Sequence, residues 1–164
     1  MIYRRLTSQK GATLVELLVI MSIVGILTRL VTLNVFRGQQ RASLTVTRDM
    51  LVSDLRKQQL RAMEGVTAEP GVYLDYSVRF ESNKYVLYPG VVYDEENSAN
   101  EMVTLDPVLQ LDPTRLSGGT ITFSRLSGEI RAYDADNSMI VLRNTQTGNH
   151  YTIQMNSLGV PFVE

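Results

Sequence analysis

Glu16 is the residue with the most chemistry to explain. It is a carboxylate set in an apolar run, Ala12 to Leu33, whose only other charge is Arg29 and whose core from Leu17 to Leu27 carries none. An ionised carboxylate in an apolar span costs roughly 2.5 to 3.5 kcal/mol on insertion scales, so it calls for a partner. Other chemical options are thin. Cysteine is absent and His150 is the single histidine, which excludes disulfide scaffolds, cysteine nucleophiles, thiolate zinc sites and any constellation of two imidazoles. His150 sits between Asn149 and Tyr151 at a hairpin edge, where a surface or half-packed role outweighs a catalytic one. Asp134-Ala135-Asp136-Asn137 spaces its oxygens closely enough for a turn-bound calcium. It lacks the glycine and distal glutamate of an EF loop, however, so an Asx turn is the better reading. No glycine-rich phosphate loop or G-x-S-x-G is present. The chain reads as non-enzymatic, with no cofactor and no metal expected.

The elements that position Glu16 follow from composition and charge. At 164 residues, 44% apolar and 20% charged, the chain suits one ordinary domain with a real core. The net charge of -1 hides an uneven distribution. Residues 1–11 hold Arg4, Arg5 and Lys10 with no acid. From Arg29 to Arg61, seven basic residues face two acidic ones, a balance of +5, and from Glu64 onward fourteen acids face six bases, a balance of -8. Four zones result: a basic leader (1–11), an apolar segment (12–33), a basic amphipathic helix (34–65) and an acidic head (66–164).

From Ala12 to Met63 there is no proline and only Gly25 and Gly38, so one continuous helix of 52 positions, about 78 Å, is permitted. Leu44, Leu51, Leu55 and Ala62 form a narrow apolar stripe in its second half. Gly65 and Glu69-Pro70-Gly71 stop it. Strands are expected near 72–80, 84–88, 102–105, 119–123, 129–133, 139–143, 151–155 and 160–163, separated by turns such as Ser82-Asn83, Ser127-Gly128 and Thr147-Gly148-Asn149. Asp94 to Glu101 reads as an acidic surface loop. The expected class is α+β: a long N-terminal helix, membrane-embedded in its first half and amphipathic in its second, packed on an antiparallel β-sheet head.

A cleaved secretory signal would need small residues after the apolar core, and Thr28-Arg29-Leu30-Val31 offers none. Arg4-Arg5 as a twin-arginine signal meets the same objection. A plain anchor fits the length but leaves Glu16 without a reason. The run Lys10-Gly11-Ala12-Thr13-Leu14-Val15-Glu16-Leu17-Leu18-Val19-Ile20 resembles the class III signal of type IV prepilins and type II secretion pseudopilins. That resemblance implies cleavage between Gly11 and Ala12 by a prepilin peptidase/N-methyltransferase, methylation of the new Ala12 terminus, and Glu16 as the assembly carboxylate. Ala12 departs from the phenylalanine usual in the family, and Arg29 falls unusually early. Cleavage would create an ammonium on Ala12, and pairing it with Glu16 of a neighbouring subunit would offset both burial costs and set axial register.

The helix and β head, with Tyr85-Val86-Leu87-Tyr88, Ile121 to Ile130 and Ile153 to Val160, are similar to the GspH/FimT minor pseudopilins. The resemblance implies a pilin-like head in a type IV pilus or in a secretion or competence pseudopilus. The implied partners are other subunits, an inner-membrane assembly platform and, before assembly, the lipid bilayer. The implied place is the bacterial cytoplasmic membrane, single-pass with the head outside, and then the filament. Basic residues flank both ends of the apolar segment, so charge alone does not set topology. The tail, Ser157 to Glu164, has no basic residue and the head is acidic, which disfavours nucleic acid. The rival reading is an uncleaved single-span envelope protein whose β head binds a ligand or partner.

Overall fold

The structure, a computed structural model, describes residues 13–65 and 72–164; within the helix it describes the side chains of 13–29 and 43–65. The chain divides into two units, Met1–Gln39 and Gln40–Glu164. Helical backbone is assigned within Leu14–Glu64 (α1), and its described side chains fall into two short stretches, 14–29 in the first unit and 43–64 in the second.

In the first unit Thr13 caps the helix. The Glu16 N–H donates to Thr13 Oγ1 at 3.3 Å, and the Leu17 N–H donates to the Thr13 carbonyl at 3.1 Å. Thr13-x-x-Glu16 is the spacing of a capping box, in which a threonine and a glutamate serve the free N–H groups of the first turn. Further along, the Ser22 and Thr28 hydroxyls donate to the carbonyls of Leu18 and Val24, both at 2.8 Å. These polar side chains are thereby satisfied within the helix.

In the second unit the stripe of Leu44, Leu51, Leu55 and Ala62 is buried, joined by Gln58, whose amide donates to the Ser77 carbonyl at 3.0 Å. Gly65, at φ 64°, closes the helix and donates its N–H to the Arg61 carbonyl. Two four-stranded antiparallel sheets complete the unit. One has the order β3-β2-β1-β5, from β1 (Tyr76–Phe80), β2 (Lys84–Pro89), β3 (Glu101–Thr104) and β5 (Thr120–Phe123). The other has the order β4-β6-β7-β8, from β4 (Leu109–Asp112), β6 (Met139–Asn144), β7 (His150–Met155) and β8 (Pro161–Val163). The helix stripe shares one apolar cluster with Val78, Tyr85 and Phe123 of the first sheet and Ile140, Leu142 and Ile153 of the second.

Polar contacts fix how stretch 43–64 sits on both sheets. The fully buried Tyr85 donates its hydroxyl to Asp54 Oδ2 at 2.6 Å. Burial and then the Asp54 carboxylate push the Tyr85 phenol well above its ordinary range. Arg48 stands 4.6 Å over the Tyr151 ring. Lys57 and Arg61 each reach Glu101 at 2.7 Å, and the Lys57 hydrogen bond leads the contacts that hold the Glu101 carboxyl below its usual range. A depressed folded-state pKa stabilises above the unfolded value, and that contribution is lost as pH falls through the folded value. Glu101→Gln should therefore lower stability by about 0.5 to 1 kcal/mol at pH 7, as expected for an exposed ion-pair cluster. The difference should shrink as pH falls below the ordinary glutamate pKa and vanish below the lowered folded-state value, as read by urea midpoints across pH.

The α+β class holds, but the finer expectation is corrected. In place of one long helix with a membrane-embedded first half on a single-sheet head, the described residues give two short helical stretches and two sheets. No described helix is long and apolar enough to cross a membrane. The 43–64 stretch is charged on its exposed sides. A single-pass placement thus finds no support in the described helix.

Two strand assignments also change. Residues 129–133 form no strand. Ile130 makes one bridge to Phe123, while its N–H goes to the Ser157 carbonyl and the Arg131 N–H to the Thr122 carbonyl. The segment acts as a tie between sheets. Leu109–Asp112 is a strand that the flanking Pro107 and Pro113 disguised as loop. Residues 94–100 form successive turns held by Asp94, Asn97 and Asn100, and Glu101 belongs to β3.

Candidate functional site

Helix stretch 14–29 is the most unusual surface described. Eleven large apolar side chains between Leu14 and Leu27 are 49% to 80% exposed. They occupy consecutive positions such as Leu17, Leu18, Val19, Ile20 and Met21, so every face of the helix is apolar. A helix apolar all round is stable only when surrounded by other apolar matter, and a contiguous exposed apolar surface marks an interaction site.

Glu16, itself exposed, is the only acidic residue of the first turn and forms no ion pair among the described residues. There the positive end of the helix dipole and the Thr13 cap favour a carboxylate. The site therefore combines an apolar cylinder with one negative charge at its start. Its chemistry is association: the cylinder supplies area, and the charge supplies a register mark that a cation on a partner can read. The other three residues singled out for processing, Lys10, Gly11 and Ala12, lie outside the described residues.

The remaining candidates do not converge. His150 is exposed at the start of β7, in register with Arg143. Asp134 accepts the Asp136 N–H at 3.0 Å and the Asn137 amide at 2.6 Å. The Asn137 contact first and the Asp136 N–H second hold its carboxyl below the usual range, the behaviour of an Asx turn. No group of three or more potential metal ligands occurs among the described residues. Of the basic residues on stretch 43–64, Arg48, Lys57 and Arg61 are engaged with carboxylates of this chain.

The capping role of Thr13 went unread in the sequence, although its Thr-x-x-Glu spacing was available. Comparisons with protein-family models, with curated proteins and with solved structures find no match for this chain.

Proposed function

We propose that this chain is a non-catalytic minor pilin or pseudopilin, a structural subunit of a type IV pilus or of a secretion or competence pseudopilus. In this reading a prepilin peptidase cuts after Gly11 and methylates Ala12. The chain is then drawn from the bacterial cytoplasmic membrane by an assembly platform into a filament of related subunits, with Glu16 against a neighbour's Ala12 ammonium. The observation that carries the reading is the helix of 14–29, apolar on every face and bearing one carboxylate in its first turn. Packed among like helices, its apolar area stays out of water when it leaves the bilayer, where exposure would cost roughly 25 cal/mol per Å². The engagement of Arg48, Lys57 and Arg61 with carboxylates of this chain, together with the acidic head, weighs against a DNA-uptake role.

The test is co-expression with a prepilin peptidase, followed by intact-mass and amino-terminal analysis of detergent-extracted protein. A chain beginning at N-methylated Ala12, lost in Gly11→Ala, is the expected result. An uncut wild-type chain beside a competent peptidase would sink the reading and favour the uncleaved envelope protein.

A further inference from the structure

A cleft of about 380 Å³ opens in the head, within the size range of small-molecule sites. On β1 and β5, Val78 and Ile121 pair and face the core, so their neighbours Ser77, Arg79, Thr120 and Thr122 lie on the opposite face of the sheet. Arg79, Thr120 and Thr122 from that face line the cleft, as do Tyr88 and Tyr93, and segment 130–134 supplies a wall with Tyr133. Leu116, Ile121 and Met155, all buried, also contribute to its lining. Ala132, in the wall, is held at φ 52°, a conformation costly for a residue with a Cβ. Strain of this kind gathers where a binding surface is being shaped.

The charges in the cleft can be sorted one by one. Arg131 is committed to Asp75 at 2.8 Å, and the Asp75 side chain is only 10% exposed. Arg79 has one long approach, Nε to Glu81 at 3.5 Å, while its guanidinium lies 4.9 Å over Tyr93, which in turn meets Tyr88 edge-on at 5.3 Å. Arg79 is thus held more loosely than Arg131, and among the described residues its two terminal nitrogens make no hydrogen bond. A planar fork of this kind matches a carboxylate in two parallel hydrogen bonds. The single carboxylate of the lining, Asp134, accepts two bonds from its own turn and keeps lone pairs for hydroxyl donors. One such fork fits a monoanion, and a head at -7 repels a polyanion.

We infer that this cleft binds a sugar acid, a pyranose ring bearing one carboxylate: the carboxylate on Arg79, the ring against the tyrosines and its hydroxyls on Asp134 and Thr120. The cation, the carboxylate and the aromatic rings of the lining each have a use in this ligand. A simple carboxylate would leave the remaining Asp134 lone pairs without a donor, and a neutral sugar would leave the Arg79 fork unmatched. The inference stands apart from the assembly reading, because it concerns only the second unit.

The test is an NMR titration of the full chain in detergent with glucuronate, using glucose, benzoate and inorganic phosphate as comparison probes. Glucuronate should produce saturable shifts confined to residues 88–93, 117–122 and 130–138, with a dissociation constant on the order of 1 mM. Glucose and benzoate should each bind at least about tenfold more weakly, since each lacks one half of the match. Arg79→Lys should weaken glucuronate about tenfold while leaving the rest of the spectrum unchanged. Absence of localised shifts with glucuronate would overturn the inference. So would benzoate or phosphate binding as tightly as glucuronate, or wild-type affinity in Arg79→Lys.

Discussion

On the proposed pilin reading, Glu16→Gln is expected to leave cleavage after Gly11 intact and to cut incorporation into filaments by about two to three and a half orders of magnitude. Removing one member of a buried, paired couple of charges leaves the other uncompensated, at a cost of about 3 to 5 kcal/mol. At about 1.4 kcal/mol per factor of ten, that penalty sets the size of the defect. Glutamine is the informative substitute because Glu16 has a second use. It is the fourth residue of a Thr-x-x-Glu cap, with its N–H on Thr13 Oγ1, and glutamine serves that position as well as glutamate does. Gln therefore removes the charge and keeps the cap. The measurement is the ratio of processed chain in the sheared-filament fraction to that in the membrane fraction, by quantitative mass spectrometry, with Glu16→Ala alongside. Normal incorporation of the glutamine variant with loss of the alanine variant would assign Glu16 to the helix start and remove its role in register.

What could be read in advance follows from the range of the physics involved. The stripe of Leu44, Leu51, Leu55 and Ala62 is legible because helical periodicity is local, and all four residues are buried. The hairpin at Ser82-Asn83 and the one at Thr147-Gly148-Asn149 are legible for the same reason, and β1–β2 and β6–β7 pair across them. Partition of the strands into two sheets is not, since β5 joins β1 across a long stretch of chain and β4 joins β6. Such pairings are decided by which faces fit together, a choice no local pattern contains. The segment 129–133 alternates plausibly, yet its backbone groups find better partners at Thr122 and Ser157. The cleft is the clearest case: Arg79, Tyr93 and Asp134 are distant in sequence, and only the fold brings them to one rim.

Leu55→Ala is expected to destabilise the second unit strongly, by about 2 to 5 kcal/mol, the range for truncating a buried leucine. Leu55 is fully buried in the middle of the stripe, within the cluster that includes both sheets. The position leaves little room for collapse. The residue before it and the residue three positions after it are tied to the first sheet, by the Asp54–Tyr85 contact and by Gln58 on the Ser77 carbonyl, so the helix cannot slide in to fill the void without breaking these hydrogen bonds. Leu60, on the same helix but 53% exposed, separates burial from helix propensity. Leu60→Ala should stay within about 0.5 kcal/mol of the parent, as surface substitutions do. Urea midpoints of the two variants, followed by tyrosine fluorescence in the same detergent, make the comparison. Equal midpoints would mean that stretch 43–64 does not hold the sheets together, and the shared core described for this head would have to be abandoned.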